Sequence, residues 1–163
     1  HGWTALMGAA GLGHLSIVLV LLQHSANPDL QSSIGGTALM WAADQGHEAC
    51  VKALLQAKAN TELQTTAGGT ALMASANKGH KACVQALLRA KANPELLDKR
   101  GRTALHWAET KGHKATAALL RQHATPPPPA AAKEAAQAEH AAQAARADAA
   151  MEKLLAEEAA EQA

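Results

Sequence analysis

The chain has 163 residues, enough for one compact domain or for one domain with an appendage. Apolar residues make up 48% of it, yet there is no Phe, no Tyr and only three Trp, so any core is aliphatic and alanine-lined, which argues against a β-sandwich or barrel. The formal charge of +1 conceals an asymmetry: residues 1–125 carry 12 Lys/Arg against 7 Asp/Glu, and residues 130–163 carry 3 against 7, so neither part is basic enough to read as a nucleic-acid binder.

From the N-terminus, Thr4-Ala5-Leu6 reads as the start of a helix, with the threonine as N-cap. Gly13-His14 ends that helix, and the apolar stretch Ile17 to Leu22 predicts a second one. That run of six residues is the longest of its kind, against the roughly 20 that a membrane span needs. Ala26-Asn27 then opens a loop. The same landmarks return at a constant spacing of 33, with Thr37, Thr70 and Thr103, then Gly46-His47, Gly79-His80 and Gly112-His113. Leu54-Leu55 and Leu87-Leu88 repeat Leu21-Leu22, and Ala59-Asn60 and Ala92-Asn93 repeat Ala26-Asn27. In the second unit the first helix runs through Leu39 to Ala43 and stops at Gly46, and the next runs from about Glu48 to Gln56. The pairs Gly35-Gly36 and Gly68-Gly69 mark extended loops. One helix pair cannot bury its own apolar face, so four units stacked together are predicted to share a core.

The ends of this register differ from its middle. In the fourth unit Glu109, Thr116 and Arg121 stand where other units have Ala, Ile or Cys, and Leu, the composition of a capping unit with no neighbour beyond it. In the first unit Leu15 and Leu19 replace Glu48, Lys81 and Lys114, and Lys52 and Gln85. The first unit is therefore expected to present an apolar end that a preceding repeat would cover, the rival reading being a hydrophobic docking surface. Pro126 to Pro129 predicts a stiff spacer of roughly 12 Å. Residues 130–163 lack Gly and Pro and predict a helix of about 50 Å. Met151, Leu154 and Leu155 are its only large apolar residues, too few to sustain the heptads of a coiled coil.

The pattern Gly-x-Thr-Ala-Leu-x-x-Ala-Ala-x-x-Gly-His-x-x-x-Val-x-x-Leu-Leu resembles the ankyrin repeat, over about residues 1–125. Ala follows the Thr in all four copies, where the family often has Pro. Met7, Met40 and Met73 replace the histidine of the usual Thr-Pro-Leu-His, which only His106 retains. Ser25, Lys58 and Lys91 replace the glycine that usually ends the second helix. The resemblance implies an all-α fold, an ankyrin-repeat solenoid with units at about 1–31, 32–64, 65–97 and 98–125. The linker 126–129 and the Ala/Glu-rich helix 130–163 follow it. Eight short helices and one long one are expected.

Catalytic chemistry finds no support in these residues. His14, His47, His80 and His113 occupy one repeat position, and each reads as a ring that bonds loop backbone and holds one unit to the next. Packed helices lie on the order of 10 Å apart, so four such rings cannot converge on one metal ion. Cys50 and Cys83 are likewise equivalent and read as small core residues, too far apart for a disulfide. Two cysteines in all favour a reducing compartment, cytoplasmic or nuclear. The paired glycines lack the following Lys-Ser/Thr of a phosphate loop. No enzyme activity, cofactor or metal is expected.

What remains is surface. The resemblance implies a concave face, made by loop tips and first helices, that binds another protein. By position this face carries Trp41, Asp44 and Gln45 in the second unit, and Asn77 and Lys78 in the third. The fourth unit adds Lys99, Arg100, Arg102, Trp107 and Lys111. Trp41 and Trp107, at one repeat position, read either as core-edge residues in a core without Phe or Tyr or as anchors, since Trp and Arg are enriched in binding hot spots. The cationic end suits an acidic segment of a partner. The expected function is a non-catalytic protein-interaction module. The alternative is a targeting or regulatory region of a larger multidomain protein. Membrane and nucleic-acid partners are not expected.

Overall fold

The computed structural model describes residues 2–123, which fall within a unit spanning His1–Ala124. The expected proline spacer, the long helix and its projection away from the stack lie outside the described residues.

Each unit starts at a threonine held in extended backbone. Thr4, Thr37, Thr70 and Thr103 precede α1 (Ala5–Gly11), α3 (Ala38–Gln45), α5 (Ala71–Lys78) and α7 (Ala104–Thr110). Each hydroxyl accepts the N–H three residues on, at 3.2 or 3.3 Å, which satisfies one donor that the first turn leaves unpaired. The second helices are α2 (Leu15–Gln23), α4 (Glu48–Gln56), α6 (Lys81–Arg89) and α8 (Lys114–His123). All eight have between 7 and 10 residues, too few to persist alone in water. No strand occurs among the described residues.

Stability therefore comes from packing between units. The first helices α1, α3, α5 and α7 lie side by side in one row, the second helices α2, α4, α6 and α8 in another, and each unit's pair joins the rows. Ala10, Ala42, Ala43, Ala76 and Ala108 are fully buried, and their small side chains let helix backbones approach closely. Met7, Leu39, Leu72, Val51, Val84, Leu54, Leu87 and Leu120 fill the space between the rows.

The loops are tied to one another in the same 33-residue register. The Gln31 side-chain amide donates to Gly35 and to Gln64 of the next loop, at 2.9 and 3.0 Å. Gln64 repeats this toward Gly68 and Leu97, at 3.0 and 3.1 Å. Backbone bonds from Thr66 N–H to the Ile34 carbonyl and from Lys99 N–H to the Ala67 carbonyl, 2.9 and 3.0 Å, continue the ladder. Ser25, Lys58 and Lys91 do hold the left-handed conformation at φ 62, 64 and 65°, so a non-glycine residue stands at each C-terminal turn.

Two of the four repeat histidines bond backbone, and they do so at helix ends rather than loops. The rings of His80 and His113 bond the carbonyls of Asp44 and Asn77, at 2.9 and 3.1 Å. These carbonyls belong to the last turns of α3 and α5, where helices leave acceptors unpaired. His47 packs its ring against Gly13, whereas His14 is exposed.

One capping assignment is corrected. Glu109 and Arg121 are exposed and paired with each other, and His106 is exposed where Met7, Met40 and Met73 are buried. Thr116, however, is only 2% exposed. Its position faces the preceding unit, so α6 covers it; the equivalent Ile17, with no such neighbour among the described residues, is 49% exposed. Leu19 and Val20 of the same helix are exposed, whereas Leu15 is half-buried against the core, so the apolar end expected of the first unit is present but lies on Ile17, Leu19 and Val20.

Candidate functional site

The loop entering α7 is organised by Asp98. Its carboxylate accepts the backbone N–H groups of Arg100 and Arg102 at 2.8 and 3.0 Å, and Arg102 adds Nε at 2.9 Å and a second guanidinium nitrogen at 2.8 Å. Burial by itself would raise the Asp98 pKa. The backbone and side-chain bonds from Arg102, the Arg100 N–H and the guanidinium charge outweigh it and hold the carboxyl down at about 2. The same guanidinium lies 3.8 Å from the Trp107 ring centroid, a cation–π distance.

This geometry changes the part that Arg102 plays. By sequence it counts as a cation facing a partner; in the structure its charge is neutralised by Asp98 and its plane is stacked on Trp107. Lys99, Arg100 and Lys111 are exposed and make no ion pair among the described residues. The cationic character of this end rests on those three.

Beside the Arg102–Trp107 stack lies a cavity of about 560 Å³. Met40 and Asp44 of α3 form one side, Met73, Ala74 and Asn77 of α5 the floor, and Trp107 of α7 the other side. The loops contribute Thr65, Ala67, Gly69 and Thr70, and then Asp98, Lys99, Arg100 and Arg102. The cavity thus unites Asp44, Asn77, Lys99, Arg100, Arg102 and Trp107 from the sequence-derived set. The remaining four lie elsewhere. Trp41 is half-buried and packs on Trp3, ring centroids 4.7 Å apart and planes at 59°. Gln45, Lys78 and Lys111 are exposed at the C-terminal ends of the first helices.

Sequence reasoning missed Met40, Met73 and Ala74 as site residues, and Asp98 as their organiser. Ala74 had a signal: the repeat register puts it at the position that Trp41 and Trp107 hold in the neighbouring units. Asp98 had none, because nothing in its spacing distinguishes an ordering carboxylate from a solvated one.

Two polar atoms near this face are buried without a hydrogen-bond partner, Trp41 Nε1 and Asn77 Oδ1, and Asn77 lines the cavity. On the second-helix side a smaller depression of about 380 Å³ lies between α4 and α6, edged by the exposed Glu48–Lys52 pair and Arg89. The thiols are poor nucleophiles: burial pushes Cys50 up, and burial and then the Glu48 carboxylate push Cys83 up to about 11. No group of three or more His, Cys, Asp or Glu that could hold a metal ion occurs among the described residues. No helix among them is long and apolar enough to cross a membrane.

A family model described as ankyrin repeats (3 copies) matches residues 1–67 and again 57–128, so a three-copy pattern tiles twice over the four units. No curated protein matches the chain.

Proposed function

Because the chain belongs to the ankyrin-repeat family, whose repeats serve generally as non-enzymatic protein–protein interaction modules, we propose that it binds a partner protein through the face built from the loop tips and first helices, and that the fourth-unit end of this face takes an acidic segment. The observation that carries this reading is the cavity of about 560 Å³ against Trp107, with Lys99 and Arg100 exposed at its edge and unpaired among the described residues. A concave apolar site with a few convergent polar groups is where binding energy concentrates. Exposed cations beside it favour carboxylates and speed encounter with them.

The test is a pull-down from cell extract, read by mass spectrometry, with the full chain compared against a Lys99→Glu/Arg100→Glu variant. Arg102 is left intact because it braces the loop. A partner captured by the parent and lost with the variant, whose binding to the parent weakens as salt rises, is the expected result. A partner retained equally by both would move the site elsewhere on the stack.

A further inference from the structure

The cavity exists because of two small residues in one unit, and the repeat register shows what they replace. At one position on the first helices the four units carry Gly8, Trp41, Ala74 and Trp107; at the loop position before the cap they carry Trp3, Gly36, Gly69 and Arg102. In the first unit Trp3 covers Gly8, where a Cβ would lie 3.5 Å from Trp3 Nε1. In the second, Trp41 occupies the space that Gly36 leaves, since a Cβ there would lie 3.0 Å from Trp41 Nε1. In the fourth, Arg102 stacks on Trp107. Only the third unit is small at both places.

Building on the interaction reading above, we propose that this vacancy is a specificity pocket for one large apolar side chain of a partner's extended segment, with a neighbouring carboxylate of that segment held by Lys99 and Arg100. The volume of about 560 Å³ lies within the ~300–1,000 Å³ of ordinary ligand sites and admits a side chain together with adjacent backbone. Met40, Met73 and Ala74 supply an apolar lining, and Trp107 supplies an aromatic wall. Asn77, whose Oδ1 is buried without a hydrogen-bond partner, closes the floor beside them. Charge selects the flanking residue. Asp98 is committed to Arg102 and to backbone, and Lys99 and Arg100, which make no ion pair among the described residues, outnumber the one other carboxylate of the lining, Asp44. Ala74 is accordingly a specificity-determining residue: the Trp that its neighbours carry would close the pocket.

The test uses the full chain and a fluorescent peptide series, acetyl-Glu-Glu-X-Glu-Glu-amide, with X as Gly, Ala, Leu or Phe. Affinity for the parent chain should rise about tenfold or more from Gly to Leu or Phe, the gain expected from burying one such side chain. Ala74→Trp should abolish this rise and retain the salt-dependent binding of the Gly peptide. Ala74→Leu, a smaller filling, should reduce the rise and guards against a Trp variant that does not fold, with thermal melts run on both. Lys99→Glu/Arg100→Glu should weaken all four peptides and preserve their ratio. Equal affinity for every X, with charge reversal still weakening binding, would overturn the pocket and leave the acidic-segment reading standing. A full rise retained in both folded Ala74 variants would also overturn it. No effect of X and none of charge reversal would remove both readings.

Discussion

At the scale of single residues the units are nearly copies, so the few departures can be read as controlled comparisons. Gly79 and Gly112 share one repeat position and one left-handed conformation, at φ +78 and +75°. A Cβ on Gly79 would lie 2.5 Å from His113 Nδ1, whereas one on Gly112 would meet nothing within 4 Å among the described residues. Alanine at either site incurs about 1 kcal/mol for its backbone. Gly79→Ala should cost a further ~1–3 kcal/mol by displacing the ring that bonds Asn77, a difference that paired urea titrations would read. Asp98 makes a second residue-scale prediction. Its carboxyl is held down from 3.8 to about 2 in the folded chain, so its contribution to stability is fully present above pH 3.8 and is lost as pH falls toward about 2. Asp98→Asn should lower stability near neutral pH by roughly 1.5–3 kcal/mol, the value of hydrogen bonds to a charged group. The gap to the parent should close on acidification; a gap that stayed constant would show that the carboxylate charge is not what braces the loop.

At the scale of elements, the helices were legible because their signals are local. A capping Thr, an apolar face of the right period and a closing Gly-His specify each pair, whereas the left-handed backbone of Ser25, Lys58 and Lys91 is shown by the structure alone. What the sequence left undecided is direction. Thr116 looks like a polar cap residue, yet its helix turns it toward the preceding unit, where it is buried. Arg102 looks like a cation for a partner, yet its own loop carries the counter-charge. Ala74 looks like one more alanine in an alanine-rich chain, and only its tryptophan neighbours in adjacent units make its smallness informative. Direction also decides the cost of substitution along a helix. Leu87 is fully buried between the rows of helices, whereas Leu19 is 41% exposed at the position where the second unit has Lys52. Leu87→Ala should destabilise by about 2–5 kcal/mol, and Leu19→Lys should stay within about 0.5 kcal/mol of the parent. Thermal melts of the two variants would check this, and a large loss in the Leu19 variant would mean that its side chain is covered in solution.

At the scale of the whole stack, four units of one design share a core but present unlike surfaces. The first unit gathers Trp3, Ile17, Leu19 and Val20 in the open; the fourth gathers Lys99, Arg100 and Lys111; the vacancy lies between, over the third. Stability in such a stack depends on contacts between neighbours, whereas recognition depends on positions where neighbours differ. The partner-facing reading therefore locates binding on the loops and first helices of the third and fourth units, with α3 as one edge, and leaves the second helices untouched. Amide hydrogen exchange of the full chain, with and without saturating acetyl-Glu-Glu-Phe-Glu-Glu-amide, tests this directly. Slowed exchange confined to residues 38–45, 65–78 and 98–111 is the predicted result; protection instead over α2, α4 or α6, with the loops and α3, α5 and α7 unchanged, would contradict it.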